Sequence, residues 1–221
     1  MLPTTTESHS QLAYLALERK IVMLEIEPGT VVSEASTIEL SGVGRTPARE
    51  ALQRLALEGL VEIRPRAGIR IAEIRPDDFL NVLDVRRMLE PSLALLSTRF
   101  ATGAQRRRVE ECRQEMLHAL AHSDTSAFLE ADKAFDAALA SACPNPYLSA
   151  TLRPLQSHSR RFWFRFFADT GIEAAVLLHC RVMDHFVKGD AEAASGAMAA
   201  LIEDMKKKAF SLRHDPVLPA Q

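Results

Sequence analysis

The stretch from Gly42 to Leu60 constrains the fold more than any other part of the chain. Gly42 and Gly44 predict a tight turn, because glycine tolerates backbone angles that other residues avoid. Thr46 is a favourable N-cap and Pro47 a favourable first helical residue, so the pattern predicts a helix that begins here. Its apolar side recurs at helical spacing and consists of Ala48, Ala51, Leu52, Leu55 and Ala56.

The opposite side of this predicted helix carries polar residues that suit a partner. Arg45 and Arg49 lie at its start, and Gln53 follows them along the exposed face. Arginine at a helix N-terminus opposes the helix dipole, so its position there makes sense when it meets an anion or an electronegative surface. A DNA phosphate and the acceptor edge of guanine both meet that condition. The stretch therefore predicts a helix that enters a groove of DNA.

The residues directly after the helix predict a basic β-hairpin. Strand-like residues lie on both sides of a turn from Pro65 to Gly68, namely Leu60, Val61, Ile63, Ile69 and Ile71. Between Gly42 and Arg70 there are six arginines and three glutamates, although the whole chain has a net charge of −2. A local basic excess on a helix and hairpin is typical of a winged helix-turn-helix. The alternative is an ordinary amphipathic helix and hairpin with solvated arginines.

This part of the chain resembles the winged helix of the GntR family of bacterial transcription regulators. The matching residues are Pro28-Gly29, Glu34, Gly42-Val43, Arg45-Thr46-Pro47, Arg49-Glu50-Ala51-Leu52, Arg54-Leu55, Glu58-Gly59-Leu60-Val61 and Gly68. The chain departs from the family pattern at Gly44, where serine is usual, and at Val32, where leucine is common. The missing hydroxyl at Gly44 removes one expected phosphate contact and leaves the fold intact.

The predicted DNA contacts lie on this helix and on the turn of the hairpin. The residues expected to contact DNA are Arg45, Thr46, Arg49, Gln53, Arg66 and Gly68. Arg45 and Arg49 are expected in the major groove, with Thr46 near a phosphate. A single winged helix covers only one half-site, so a homodimer on a pseudo-palindromic operator is the economical route to specificity.

Composition places the chain among globular proteins. The 221 residues are 47% hydrophobic and 25% charged, and no apolar run approaches the roughly 18 residues that span a membrane. The segment from Met1 to Gln11 is polar and has no hydrophobic signal region, so we expect a cytoplasmic protein without a membrane partner. Cys112, Cys143 and Cys180 are odd in number and widely spaced, which indicates small buried thiols rather than disulfides or a zinc site.

The N-terminal domain is predicted to contain two further helices. One runs from Gln11 to Glu25 and is ended by Pro28-Gly29, and a short one from Glu34 to Leu40 is capped by Ser33. Arg75-Pro76-Asp77 marks the end of this domain, because the proline interrupts the strand and the aspartate can cap a helix. The winged helix-turn-helix is thus assigned to residues 1–75.

The rest of the chain predicts only helices. Six helical segments separated by short breaks run from Asp77 to Ala101, Thr102 to Ala121, Asp124 to Ala142, Pro146 to Phe167, Gly171 to Lys188 and Asp190 to Leu212. The fold class is therefore mainly α, with a small β-hairpin wing and then an all-α bundle of six to seven helices at residues 76–213. Residues 214–221 contain two prolines and are predicted to be a disordered tail.

The helical domain is similar to the FCD effector-binding domain of the FadR subfamily of GntR regulators. The matching segments are Val85-Arg86-Arg87-Met88-Leu89-Glu90-Pro91, Asp132-Lys133-Ala134-Phe135, Asn145-Pro146 with Leu148, Leu178-His179, and Val187-Lys188-Gly189-Asp190-Ala191-Glu192-Ala193-Ala194. The resemblance implies a helical domain with a small-molecule pocket at its centre. In many members a divalent metal lies there, held by an aspartate and three histidines.

Carried over residue by residue, the implied metal ligands are Asp132, Asp136 and His179. Asp136 stands where the family has histidine, and Leu201 stands where the fourth ligand is expected. The resemblance therefore implies at most three protein ligands for zinc, manganese, nickel or iron, with weak binding or none. The effector-binding residues are then Arg86, Asp132, Asp136 and His179, and the effector expected is an organic acid.

The same residues stand out without the resemblance, since they are polar groups on apolar helical stripes. Asp132 and Asp136 share one stripe with Phe128, Phe135 and Leu139. His179 shares another with Val182, Met183 and Phe186. Two inward carboxylates require a cation, a metal or hydrogen bonds. Arg86 is spaced i, i+4 from Glu90, so it either pairs with Glu90 or Asp132 or binds the carboxylate of a ligand.

One more stretch allows two interpretations. Residues 160–167 interleave arginine with five aromatic side chains, a pattern that suits stacking on single-stranded nucleic acid. On a helix, however, Phe162, Trp163 and Phe166 form a core stripe with the arginines at its edge. We favour the core stripe and expect these arginines at the rim of the pocket.

Together these features predict a ligand-responsive, dimeric transcription regulator that a small metabolite releases from its operator or repositions. Two other interpretations stay open at this point. Asp132, Asp136 and His179 are residue types that hold a catalytic metal, which would make the chain an enzyme, although no separate nucleophile or general base is recognisable. A helical domain without a ligand would make the chain an architectural DNA-binding protein.

Overall fold

The computed structural model describes residues 8–169 and 171–213, and these form two units. The first unit ends at Ile74 and the second begins at Arg75. The predicted tail at residues 214–221 lies outside the described residues. Among the described helices, none is long and apolar enough to cross a membrane.

The first unit contains three helices and three short strands. In chain order these are α1 (His9–Val22), β1 (Val31–Val32), α2 (Glu34–Ser41), α3 (Arg45–Leu57), β2 (Val61–Arg64) and β3 (Gly68–Ile71). Ser8 and Ser33 cap α1 and α2, each accepting a hydrogen bond from a backbone N–H three residues later. The predicted end of the first helix at Pro28-Gly29 is wrong, because α1 stops at Val22 and Leu24 has a φ of 55°, which no helix accommodates.

The start of α3 differs from the prediction by one residue. Gly44 is the N-cap, with extended backbone angles (φ −70°, ψ 169°), and Arg45 and Thr46 are already helical. The prediction that Thr46 caps this helix is therefore wrong. Because Gly44 has no side chain, α3 begins without a side-chain hydrogen bond at its N-cap.

The three strands form an antiparallel sheet in the order β1-β3-β2. The predicted hairpin is present, with Val61 opposite Ile71 and Ile63 opposite Ile69. The third strand, β1, was not predicted, and it pairs with the other edge of β3. Gly68 has a φ of 92°, and a Cβ atom there would lie 2.8 Å from the carbonyl oxygen of Val32. Only glycine therefore allows β1 to approach the wing so closely.

A single apolar core joins the helices of the first unit to the sheet. Its fully buried members include Leu17, Ile21, Leu55, Leu60 and Ile71. Beside it the hydroxyl of Tyr14 donates to Glu58 at 2.7 Å, while the guanidinium of Arg54 lies 3.6 Å from the centre of the Tyr14 ring. Arg54 also donates to Gln11 and Glu58 at 2.9 and 3.1 Å. This polar cluster fastens α1 to the end of α3.

The described part of the second unit is entirely helical, as predicted. It contains α4 (Pro76–Phe100), α5 (Gly103–Ala121), α6 (Thr125–Ala142), α7 (Pro146–Phe167), α8 (Ile172–Lys188) and α9 (Ala191–Arg213). The predicted segments match these helices to within one or two residues, and the mainly α fold class is confirmed. Local caps explain the breaks, since Thr102, Asp124 and Asn145 each accept hydrogen bonds from the first turn of the helix that follows.

One side chain binds two helix ends in this unit. The guanidinium of Arg106 in α5 donates to the backbone carbonyl of Thr98 in α4 at 2.9 Å and to that of Phe186 in α8. It lies against Gly189, which ends α8 with a φ of 79°. The last turns of two helices that are far apart in sequence thus share one hydrogen-bonding side chain.

Candidate functional site

The first candidate site is the exposed face of α3 with the tip of the wing. Arg45, Thr46, Arg49 and Gln53 are exposed on one side of this helix, and Arg66 is exposed at the hairpin tip. These are residues for which the sequence predicts contacts with DNA.

Arg49 is held in place by the neighbouring helix. Its Nε and Nη2 atoms donate to the two carboxylate oxygens of Glu34 at 2.7 and 3.1 Å, a bidentate pair between α3 and α2. The hydrogen bond and charge of Arg49 lower the pKa of Glu34. Both side chains are exposed, so water screens the attraction and a phosphate can replace the carboxylate at small cost.

The other arginines of the winged helix are bound within their own unit. Arg54 pairs with Glu58 and Tyr14, Arg64 with Glu62 at 2.7 Å, and Arg70 with Glu73. The basic excess seen in the sequence is thus partly internal. The cations best placed to meet DNA are therefore the exposed Arg45, Arg49 and Arg66.

The second candidate site is a pocket among five helices of the second unit. It is lined by aromatic side chains on one side and by charged ones on the other, and the space measures about 610 Å³ including the part that is open to solvent. The aromatic wall consists of Phe79, Phe128, Trp163 and Phe167. A mostly apolar cavity with a few convergent polar groups is the usual form of a small-molecule site.

Arg160 lies at the polar end of the pocket and binds both predicted carboxylates. Its Nη1 atom is 2.6 Å from Asp136 Oδ2 and 3.2 Å from Asp132 Oδ2. The other oxygen of Asp136 accepts a hydrogen bond from Gln156 Nε2 at 3.0 Å, and the other oxygen of Asp132 lies 3.0 Å from His179 Nε2. The Nδ1 atom of His179 is 2.7 Å from the carbonyl oxygen of Ala175.

These contacts shift the pKa values of the buried groups in opposite directions. Burial raises the pKa of Asp132, but the hydrogen bond and charge of His179, with the nearby arginines, bring it well below its usual range. Burial and the charge of Asp132 raise the pKa of Asp136 to about 7. Burial lowers the pKa of His179, but the hydrogen bond to Asp132 outweighs this and raises it.

Arg86 forms a separate buried pair on the wall of the pocket. Its Nε and Nη2 atoms donate to the two oxygens of Glu90 at 2.7 and 2.9 Å, and the side chains are 7% and 0% exposed. Burial lowers the pKa of Arg86, but the charge and hydrogen bonds of Glu90 raise it above its ordinary value. Gln156 connects this pair to the carboxylates, since Nε2 also lies 3.2 Å from Glu90 Oε1.

The structure brings the predicted pocket residues together but changes their roles. Asp132, His179 and Arg86 line the pocket, whereas Asp136 lies behind it, against Arg160 and Gln156. Of the two alternatives for Arg86, pairing with Glu90 is the one observed. The two carboxylates were expected to require a cation, a metal or hydrogen bonds, and the cation that meets both is Arg160. Arg160 is 24 and 28 residues from the two carboxylates in sequence, so no local pattern could predict this pairing.

A metal does not fit this arrangement. No group of three or more histidine, cysteine, aspartate and glutamate side chains has metal-binding geometry within residues 8–169 and 171–213. The guanidinium of Arg160 lies between the two carboxylates, and Leu201 contributes only methyl groups to the lining. The donor set that the sequence resemblance implied is therefore already satisfied by organic groups.

The aromatic stretch of α7 belongs to the core, as favoured from the sequence. Phe162 is buried and stacks on Phe79 with ring centroids 3.8 Å apart, and Trp163 packs against Phe128 at 4.8 Å. The expectation that the arginines lie at the edge of the core stripe is wrong for Arg161. Its side chain is only 1% exposed, and burial lowers its pKa to about 10. Single-strand stacking is thus not available to these side chains.

The fold and the two sites define a winged-helix protein whose second unit is an all-helical domain around a pocket. Residues 9–71 match the model of the gntR family of bacterial regulatory proteins, and residues 81–204 match the model of the FCD domain. The chain therefore belongs to the FCD-domain family, and its first unit is a helix-turn-helix domain of the gntR family. It is a DNA-binding transcription regulator and not an enzyme.

Relatives of known name agree with this assignment. The chain is 26% identical to the HTH-type transcriptional regulator YieP of Escherichia coli, over 90% of this chain and 96% of the relative. It is 25% identical to the HTH-type transcriptional repressor RspR of Escherichia coli, over 95% and 92%. The solved structure of McbR/YncC from E. coli superposes with a TM-score of 0.81 at 15% identity, covering 95% of this chain and all of that one, and supports the fold alone.

Proposed function

We propose that this protein is a dimeric, ligand-responsive regulator of the FadR subfamily. It binds a pseudo-palindromic operator and is released or repositioned when a small organic acid enters the helical pocket. The observation that carries the proposal is the division of the chain into a unit with an exposed basic face and a unit with a pocket among its helices. The same function requires the cytoplasm, where the operator is.

The operator is read by the face of α3 and the tip of the wing. Arg45 and Arg49 reach base edges in the major groove, and Thr46 binds a phosphate at the start of the helix. Gln53 continues this face, and Arg66 contacts the backbone from the wing. The residues of this interface are Arg45, Thr46, Arg49, Gln53, Arg66 and Gly68.

The proposed dimer uses the outer side of α4. Exposed and half-exposed residues recur there at alternating spacings of four and three, namely Asn81, Val85, Met88, Ser92, Leu95 and Arg99. Met88 is 74% exposed and Val85 40%, so this side of α4 presents two apolar side chains at one spacing of the seam. A seam with this heptad spacing suits the same helix of a second copy across a twofold axis.

Sedimentation velocity tests the dimer. The wild-type chain is expected to sediment as a dimer at micromolar concentration, and Met88→Glu is expected to shift it to monomer. Tyr147→Glu is the matched control, because Tyr147 is also exposed and apolar but begins α7, away from the seam. A monomeric wild type, or a dimer that Met88→Glu leaves intact, would refute the α4 interface.

The effector proposed for the pocket is an organic acid with an apolar body. The lining includes the donor groups of Arg160, His179 and Lys208, beside the Arg86–Glu90 pair, and such groups suit a carboxylate of the ligand. The buried hydroxyl of Ser159 also lines the pocket and has no hydrogen-bond partner among the described residues. A buried polar group left without a partner costs free energy that a ligand can recover.

Fluorescence anisotropy on DNA upstream of the chain's own gene and of its neighbours tests the whole proposal. We expect saturable binding to one of these fragments, with a protected pseudo-palindrome, and weakening by one member of a panel of carboxylic acids. Ser159→Ala should fold normally and bind the operator normally but respond less to that acid. Equal affinity for upstream and random DNA would overturn the proposed function.

A further inference from the structure

We infer that the pocket works without a metal ion, because Arg160 supplies from within the chain the positive charge that a metal would bring to Asp132 and Asp136. The inference rests on the proposed function only in taking this cavity as the effector pocket. It departs from what the sequence resemblance implied for the same positions.

Every carboxylate oxygen of the implied site already has a partner. Asp132 Oδ1 and Oδ2 lie 3.0 and 3.2 Å from His179 Nε2 and Arg160 Nη1. Asp136 Oδ1 and Oδ2 accept from Gln156 Nε2 and Arg160 Nη1 at 3.0 and 2.6 Å. A metal ion must approach such oxygens to about 2.0–2.2 Å, so it could bind only after these partners had moved.

The imidazole of His179 is also committed at both of its nitrogens. Nδ1 lies 2.7 Å from the carbonyl oxygen of Ala175, and Nε2 lies 3.0 Å from the carboxylate of Asp132. Both contacts are with oxygen atoms of the protein, so neither nitrogen faces open space. A metal could reach the ring only after His179 had left Asp132 or Ala175.

The charges of the cluster leave no place for a divalent ion. Arg160 contributes one positive charge, and Asp132 and Asp136 contribute at most two negative ones. The adjacent Arg86 is already matched by Glu90. An added divalent cation would therefore leave at least one uncompensated positive charge in a buried site, which is unfavourable.

Arg160 is anchored for this role by its position on α7. Its side chain is 6% exposed, and Nη2 lies 3.4 Å from the hydroxyl of Ser157 one turn earlier. A guanidinium held this way offers fixed donors, whereas a metal offers open coordination positions. The ligand consequently meets Arg160 and His179 directly, and its recognition depends on hydrogen-bond geometry at the end of an aromatic-walled cavity.

Metal titration of the full chain tests the inference. The protein is dialysed against EDTA, freed of the chelator, and titrated with Zn²⁺, Ni²⁺ and Mn²⁺ by calorimetry, with the metal content measured by mass spectrometry. We expect the wild type to retain well under one equivalent of any metal and its melting temperature to be unchanged by EDTA. Arg160→Met frees both carboxylates, so zinc affinity is expected to rise by about tenfold or more.

Arg165→Met is the matched control, because it removes an exposed arginine from the same helix. It should resemble the wild type in metal content. Should Arg160→Met not fold by circular dichroism, Arg160→Gln takes its place, since glutamine keeps a donor near the carboxylates while removing the charge.

Two results would overturn the inference. One is a wild type that binds one equivalent of metal per chain and loses it in Asp132→Ala. The other is a folded Arg160 variant whose zinc affinity equals that of the wild type. Operator binding of the wild type is measured with and without EDTA. Failure in both conditions counts against the proposed function, whereas failure in EDTA alone, or a stoichiometric metal, counts only against the inference.

Discussion

The two units of the molecule use arginine in opposite ways. On the winged helix, the side chain of Arg49 is 59% exposed, and its partner Glu34 is exposed as well. In the helical unit, the side chains of Arg86 and Arg160 are only 7% and 6% exposed. An exposed ion pair contributes little to stability and is easily exchanged for another anion. A buried one is expensive to break, because one partner is left charged and without compensation. The first kind is available to a partner molecule, and the second belongs to the fold.

The largest effect on stability is expected when the buried pair of Arg86 and Glu90 loses its carboxylate. Glu90→Ala leaves Arg86 as an uncompensated buried cation and should lower the free energy of unfolding by about 3–5 kcal/mol. Urea unfolding followed by the fluorescence of Trp163, the only tryptophan of the chain, measures this in the helical unit.

Glu203→Ala is the control for that substitution. Glu203 also pairs with an arginine of α4, Arg87 at 3.0 Å, but both side chains are more than 40% exposed. Its loss should change stability by no more than about 1 kcal/mol. Equal effects of the two substitutions would show that burial does not determine how much an arginine–glutamate pair contributes to stability.

The exposed side of the comparison is tested through DNA rather than stability. Arg49→Ala should weaken binding to the operator by about 1–3 kcal/mol if the side chain contacts a base, and leave the unfolding curve unchanged. Anisotropy with operator and random DNA of equal length measures both quantities. An equal loss on both DNAs would identify Arg49 as a phosphate contact instead.

Arg54 is the case that could break the comparison, because it lies in the winged helix and yet is largely buried. It stacks on Tyr14 and binds Gln11 and Glu58, so Arg54→Ala should destabilise the first unit by about 1–2 kcal/mol. Circular dichroism should show an earlier transition, while the Trp163 fluorescence midpoint stays in place. A normal melt with weakened operator binding would move Arg54 into the group that meets DNA.

The smallest effect is expected from restoring the hydroxyl that the family usually has. Gly44→Ser supplies a side-chain cap to α3 at a position with extended backbone and open space, where the nearest atom is Pro47 Cδ at 4.0 Å. Stability should rise by a few tenths of a kcal/mol. Thermal melts of the two proteins in parallel test this, and a lower melting temperature would contradict it.

The helices of this protein could be predicted because their signals are local. Asn145 and Pro146 announce the start of α7, and the predicted bounds of that helix coincide with those observed. β1 was missed because two valines carry no pattern of their own, and their pairing with β3 bridges nearly forty residues. The turn after α1 was misplaced because the residue with positive φ is Leu24, whereas a sequence indicates such a position only when it carries glycine.

The same distinction holds for the pocket. Asp132, Asp136 and His179 could be found by their polar character on apolar stripes, and the structure does bring them together. What periodicity could not give is the partner of each group, because Arg160 and Gln156 reach the carboxylates across the space between two helices. A stripe reveals which side of a helix is buried, but not which side chain lies opposite.

The hydrogen bonds of Arg106 have a consequence for motion within the helical unit. One guanidinium binds last-turn carbonyls of α4 and α8 through separate nitrogens, so the loss of either contact frees the side chain that holds the other. We therefore expect the two ends to open together, although they are far apart in sequence. Amide hydrogen exchange in the last turns of α4 and α8 should share one rate, and Arg106→Lys should accelerate both.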